Sequence, residues 1–299
     1  MNQKIEFLVR INTRSGIRDI PAIICPDEEI MPAIVYKYLD INVEHNRRSL
    51  SERYAWFSNP LSFNDPFDRP TPFANYLLST DDCLFQKYYF DQFYDQFGFM
   101  DKQEIQQFVD RYLTHCRSPI IRDVFSQYCK NASNILPDKI AEETGVFCTC
   151  LVNDDILLWS HYANKHSGIC LGFNPCNLRK NNPEIGGWRV KYGSFPIIEP
   201  FHDSDEQSRD DAFEKMFLIK AICWEYENEY RLADHHCINR KKIIGDSLES
   251  LILGREISAE NQEFAIRSCR SINPEVKVFK ISKETVFSYE LLIKPLETT

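Results

Sequence analysis

Two periodicities divide this chain. Between Phe85 and Tyr128, apolar side chains recur at helical spacing: Phe85, Tyr88, Tyr89, Phe93 and Phe97, then Ile105, Phe108 and Tyr112, then Ile121, Val124, Phe125 and Tyr128. That spacing lines one face of a helix, and Gly98 and Pro119 punctuate the run. On either side the apolar runs are short, as in strands. Strands are expected at 34–38, 54–58, 145–150, 169–173, 188–192, 247–253, 276–281 and 289–293. A helical turn is expected near 43–52 and helices near 208–221 and 259–271, the last capped by Ser258. Asn153-Asp154-Asp155 supplies N-cap chemistry for a short helix through Leu157, Trp159 and Tyr162, which Gly168 stops. Many strands with scattered helices make an α+β fold with a mixed, largely antiparallel sheet. The expected organisation is an N-terminal strand extension over 1–30, a core α+β domain from 31–81 and 145–299, and a helical insertion over 82–144.

The net charge is −9, a balance that weighs against the general basic surface of a nucleic-acid binder while leaving room for a local basic groove. Arg47-Arg48 and Arg240-Lys241-Lys242 are its compact basic clusters. Eleven cysteines occur without a C-x-x-C pair, which reads as buried thiols in a reducing compartment, and no metal is expected. The N-terminus alternates like a strand, not like a signal sequence, and no apolar run approaches the roughly 20 residues of a membrane span. The expectation is a cytoplasmic protein without a membrane partner.

Trp224-Glu225-Tyr226-Glu227-Asn228-Glu229-Tyr230-Arg231 alternates aromatic or amide residues with charged ones. Period two predicts a strand with Glu225, Glu227, Glu229 and Arg231 on one face. Like charges repel along such a face, so the row needs either solvent or a use. Phe63-Asn64-Asp65-Pro66-Phe67-Asp68 reads as a polar-aromatic loop with Asx-turn chemistry before the proline.

Several segments together resemble the bacterial domain of unknown function 2971 family: Tyr36-Lys37-Tyr38, Trp56-Phe57-Ser58-Asn59-Pro60, Phe63 to Asp68, Trp159-Ser160-His161-Tyr162-Ala163 with Gly168-Ile169-Cys170, Trp224 to Arg231, and Gly254 after an apolar strand. The resemblance spans about 33–295, with 82–144 variable. It carries no activity with it. Glu227 and Glu229 also resemble the E-x-E element of ADP-ribosyltransferases, which implies a split sheet and NAD as substrate. Cleaving the nicotinamide–ribose bond builds positive charge on the sugar, and a fixed carboxylate stabilises it. That resemblance assigns Glu229 to the ribose and its charge, and Glu227 to the acceptor. Lys37 falls where such enzymes place a His or Arg on the first core strand, a departure that leaves a point charge instead of a planar fork. Tyr38, Ser58, Asn64, Asp65, Trp159, His161, Tyr162 and Arg231 complete the expected NAD-contacting set, and the acceptor, protein or nucleic acid, is not specified. A toxin or phage-defence setting follows from family resemblance alone. Two other readings use the same residues. Asp65, Asp68, Glu227 and Glu229 would hold Mg²⁺ for phosphodiester hydrolysis, or the polar groups would be the turn and ion-pair chemistry of a non-catalytic sensing or interaction module.

Overall fold

A computed structural model describes residues 7–13, 16–24, 30–68, 101–115, 138–194, 213–282 and 290–296. The strands in chain order are β1 (Phe7–Thr13), β2 (Gly16–Ile24), β3 (Ile30–Pro32), β4 (Val35–Leu39), β5 (Tyr54–Trp56), β6 (Gly145–Cys150), β7 (Ile169–Phe173), β8 (Gly186–Arg189), β9 (Lys191–Gly193), β10 (Ile219–Ala221), β11 (Glu229–Asp234), β12 (Lys241–Ile243), β13 (Leu248–Leu253), β14 (Lys277–Ile281) and β15 (Ile293–Pro295). The helices are α1 (Glu44–Ser51), α2 (Lys102–His115), α3 (Ile156–Tyr162), α4 (Pro175–Asn181) and α5 (Ala259–Ile272).

The fold is α+β. Its main sheet has eight strands in the order β15-β14-β13-β7-β4-β6-β11-β8. β13 and β14 run parallel, joined by α5, and every other neighbouring pair in this sheet is antiparallel. Ser258 caps α5 as its sequence predicts, its hydroxyl accepting from the Asn261 N–H at 3.2 Å. β1, β2 and β3 form a separate antiparallel sheet. Ile11 of β1 joins the main core, and Arg18 of β2 holds Asp154 at 2.8 Å beside the start of α3. The N-terminal extension is therefore tied to the core domain.

The sheet is split between β4 and β6. β4 pairs with β7 from Val35↔Phe173 to Leu39↔Ile169, but meets β6 only at Tyr36↔Cys150. Beyond that point Ser58 takes the place of β4, exchanging two 2.8 Å backbone hydrogen bonds with Val146. The gap is bridged by side chains. The Lys37 ammonium donates to the Cys148 carbonyl at 2.8 Å, and the Tyr38 hydroxyl donates to the Val152 carbonyl at 3.0 Å. Aromatic residues fill the core beneath it. Phe147 stacks on Phe57 and meets Phe173 edge-on, both at 5.6 Å, and Tyr38 meets Trp159 edge-on at 5.2 Å. Such pairs add about 0.5–1.5 kcal/mol each beyond their buried area.

Three local expectations are corrected. The segment 222–227 is a 3₁₀ helix, not the first half of a strand. The helix expected over 208–221 is helical at 213–217 and gives way to β10 at Ile219. The last strand begins only at Ile293. α4 was not anticipated, although Asn174 followed by Pro175 is a helix-start signal, and the Asn174 side chain accepts from the Asn177 N–H. Of the helical insertion, α2 and the helical residues 138–143 are described; the runs Phe85–Phe97 and Ile121–Tyr128 lie outside the described residues, as do 26–29. Six described cysteines are free thiols, whereas Cys176 is disulfide-bonded, a departure from the reduced state expected. Among the described residues no helix is long and apolar enough to cross a membrane.

Gly168 and Gly254 let three backbone segments meet. A Cβ on Gly254 would lie 2.2 Å from the His166 carbonyl oxygen and 2.7 Å from that of Gly168. Backbone cannot swing aside as a side chain can, so Gly254→Ala is expected to destabilise the fold by about 3 kcal/mol, read as a lowered midpoint in urea with an unchanged slope.

Candidate functional site

A cavity of about 240 Å³ opens at the split, lined by Tyr36, Lys37 and Tyr38 of β4, Cys148 and Cys150 of β6, Ser58, Asn64, Asp68, Tyr162, Lys220, Glu227 and Glu229. The acids arrive by a route that differs from a continuous strand. Residues 222–227 wind as 3₁₀ turns, and Asn228 adopts the left-handed conformation, φ 44° and ψ 51°, which asparagine tolerates better than most residues. β11 starts at Glu229. The reversal at Asn228 brings the Glu227 carboxylate back beside that of Glu229, and Glu225 stays in solvent. From Glu229 onward the period-two expectation holds. Glu229 and Arg231 share one face, while Tyr230 and Leu232 enter the core.

What joins the two acids is Lys220, a residue the sequence reading did not single out. It lies on β10, which runs parallel to β9 with Lys220 opposite Tyr192. Its ammonium meets Glu227 Oε2 at 2.6 Å, Glu229 Oε2 at 3.2 Å and Asp68 Oδ2 at 3.4 Å. Arg231 closes the other side. Its guanidinium holds Glu229 Oε1 at 2.8 Å and both Asp68 oxygens at 2.7 Å, and donates to the Phe217 carbonyl at 2.6 Å. All five charged side chains are at least 90% buried. Three carboxylates against two cations leave one excess negative charge inside a low-dielectric pocket. Two tyrosines complete the set: Tyr162 donates to Glu227 Oε1 at 2.7 Å, and the Glu229 N–H donates to the Tyr192 hydroxyl oxygen at 2.8 Å.

These surroundings push the two glutamates apart. Burial raises both, but for Glu229 the guanidinium of Arg231 and the ammonium of Lys220 more than offset it and bring the carboxyl down to about 2. For Glu227 burial prevails over Lys220, with the Glu229 charge adding to it, and the carboxyl sits above its usual range. Asp68 is likewise raised by burial despite Arg231. Burial with the adjacent Glu229 charge raises the Cys148 thiol well beyond its ordinary value, so it stays protonated. A permanently ionised carboxylate beside one that can carry a proton is the arrangement that divides acid–base work between two acids.

The expected residues divide as follows. Lys37, Tyr38, Ser58, Asn64, Tyr162, Glu227 and Glu229 share the cavity. His161 is exposed and lines a second, adjoining cavity. Arg231 is buried behind Glu229 and acts through it. Two expectations are corrected. Trp159 is wholly buried, its indole N–H donating to the Asn153 carbonyl, because α3 packs that face on the core. Asp65 spends its carboxylate on the Phe67 N–H at 2.9 Å, an Asx turn, and is not part of the cavity wall. Asp68 converges with the two glutamates as the Mg²⁺ reading required, but the ammonium of Lys220 already stands where the three meet, and no group of three or more His, Cys, Asp or Glu among the described residues is arranged to hold a metal ion.

Comparison with known proteins adds one match. Residues 158–232 match the family described as "Protein of unknown function (DUF2971)". No curated protein and no solved structure matches the chain, so the likeness to ADP-ribosyltransferases stands on the E-x-E residues alone. The matched stretch contains Tyr162, Lys220, Glu227, Glu229 and Arg231, and excludes the β4 and Ser58–Asp68 walls of the cavity. Over residues 158–232, then, the chain is similar to the DUF2971 family, whose description assigns no function.

Proposed function

We propose that the cavity cleaves the N-glycosidic bond of a nucleotide, with NAD as the substrate and ADP-ribosyl transfer or NAD hydrolysis as the outcome. The carrying observation is the pair Glu227 and Glu229, bridged by one ammonium at 2.6 and 3.2 Å in a sheltered gap opposite Lys37. Departure of the base leaves a cationic sugar, and the net negative charge of the cluster is already oriented for it. Glu229, held ionised by Arg231, supplies the fixed charge. Glu227, with its raised affinity for a proton, accepts one from the attacking water or acceptor hydroxyl. Tyr36 and Tyr38 border the sugar, and Lys37 reaches the phosphate side.

The test is release of nicotinamide from NAD, followed for the wild type and Glu229→Gln. The wild type is expected to turn over, and the variant to lose about 10²–10³-fold in kcat, the usual size for losing one preorganised charge stabiliser. Because Glu229 also belongs to the ion cluster, folding is checked by thermal melting. Lys37→Met, outside that cluster, is expected to raise KM while leaving kcat within a few-fold. No nicotinamide release by the wild type, with protein and nucleic-acid acceptors supplied, would overturn the reading.

A further inference from the structure

The cavity holding the acids has a neighbour. A second cavity of about 300 Å³ lies on the α1 side of β4 and shares Lys37, Tyr38, Ser58 and Tyr162 with the first. The first alone, at about 240 Å³, is smaller than the roughly 300–1,000 Å³ of sites that enclose a whole drug-sized ligand. Resting on the glycosidic-cleavage reading, the geometry points to a bipartite site: the second cavity receives the diphosphate and the far nucleoside of a dinucleotide, gripped by Lys37, His45 and His161.

Charge separates the two chambers. The first is walled by Asp68, Glu227 and Glu229 around Lys220, with Arg231 behind, and has Lys37 on the wall it shares with the second. An anionic diphosphate is repelled there, whereas a sugar becoming cationic is welcomed. The second chamber is walled by Lys37, His45 and His161 with a single acid, Asp40. Asp40 is turned to its own loop, its Oδ1 accepting from the backbone N–H of Asn42 at 2.9 Å and from the Asn42 side chain at 3.1 Å. Lys37 stands at the junction. One of its three N–H groups goes to the Cys148 carbonyl, and the ammonium lies over the Phe147 ring, 5.2 Å from its centre. An ammonium has two further N–H donors, and Lys37 lines both cavities.

The histidines frame the mouth. His45, on the first turn of α1, and His161, at the end of α3, are both exposed and both line the chamber. They stand 116 residues apart in sequence, so their place on one chamber wall is a product of the fold and not of local spacing. The inner wall suits a base. Trp56 is met edge-on by the His45 ring at 5.0 Å and by Tyr54 at 6.3 Å, with Phe147 and Phe173 deeper. A flat aromatic ligand gains contact area there, and Asn46 and Ser49 supply polar edges.

Two measurements decide the matter. ADP binding is measured by calorimetry for the wild type and for His45→Ala/His161→Ala. The wild type is expected to bind, and the double variant to bind at least tenfold more weakly. Turnover of NAD is compared with that of nicotinamide mononucleotide, which lacks the far half, and the dinucleotide is expected to have at least a tenfold higher kcat/KM. Both histidines are exposed, so the variant folds, as its melting curve checks. ADP that fails to bind, or binds both proteins equally, overturns the bipartite site, as does equal turnover of mononucleotide and dinucleotide. If ADP binds in a histidine-dependent way while no NAD is cleaved, the second chamber stands and the glycosidic-cleavage reading falls.

Discussion

Lys220→Ala is expected to lower the stability of the fold by about 3–5 kcal/mol, the usual cost of removing one partner from a buried charge cluster. The ammonium is within 3.4 Å of three carboxylates, and its removal leaves Asp68, Glu227 and Glu229 facing one another with Arg231 as their remaining cation. Glu227 and Asp68 already sit above their usual range through burial, so the variant takes up protons more readily than the wild type to relieve the repulsion. The loss should be partly recovered by a divalent cation. The three acids are not arranged as a metal site while Lys220 is present, but with the ammonium gone they are expected to close on Ca²⁺, which takes oxygen ligands at 2.3–2.6 Å, and a ligand bound only by the folded state stabilises it by mass action. The measurement is the melting temperature of the wild type and the variant in EDTA and in millimolar CaCl₂. The wild type should be indifferent to calcium, because Lys220 holds the place, and the variant should gain several degrees. A variant that melts like the wild type would show that Lys220 contributes little to the cluster; a variant that is destabilised but blind to calcium would show that the acids fold away from one another once it is gone.

The same residue explains what the sequence could and could not disclose. Strands β4, β6, β7, β13 and β14 were legible because each is a short apolar run with clear flanks, and the starts of α3 and α5 were legible through Asp155 and Ser258, which do cap them. The segment before β11 was misread for a physical reason. Alternation of aromatic and acidic residues fits a strand, yet a 3₁₀ helix places residues three apart above one another, so Trp224 and Glu227 align and Glu225 is free to face water. The expectation that the Glu227 and Glu229 carboxylates lie together holds all the same, because the left-handed turn at Asn228 restores their proximity. Lys220 was out of reach. It sits in a segment that reads as the end of a helix, and its partners are seven, nine and about 150 residues away along the chain. Asp68 and Arg231 likewise meet only through the fold, and Asp65, the acid with the stronger local signal, is consumed by its turn. Motif spacing found the catalytic candidates; the cation that organises them is a tertiary fact.

Arg231→Lys should be nearly as costly as the loss of Lys220, about 3 kcal/mol, although it conserves charge. The guanidinium makes four kinds of contact from one plane: Glu229 through Nε, Asp68 and Glu229 through one terminal nitrogen, and the Phe217 carbonyl through the other. An ammonium cannot reproduce that fork, and each buried acceptor it leaves unmet carries its own desolvation cost of about 1–3 kcal/mol. Acid titration supplies the sharper readout. Glu229 is held at about 2 in the folded protein against 4.5 for an ordinary glutamate. A carboxyl depressed by folding contributes stability that is complete above about pH 4.5 and drains away as the pH falls towards 2. Glu227 runs the other way: its folded value is raised, so it favours the fold while protonated and loses that contribution as the pH rises through its folded value. In the wild type the Glu229 loss therefore governs the acid limb. Weakening the grip of Arg231 lets burial push Glu229 upward, which removes most of that contribution at neutral pH. The variant should be less stable at pH 7 yet show a flatter decline from pH 4.5 to 2, measured by urea midpoints across that window. An acid limb as steep as the wild type's would mean that Lys220 alone keeps Glu229 ionised, and that the arginine serves Asp68 and the Phe217 carbonyl instead.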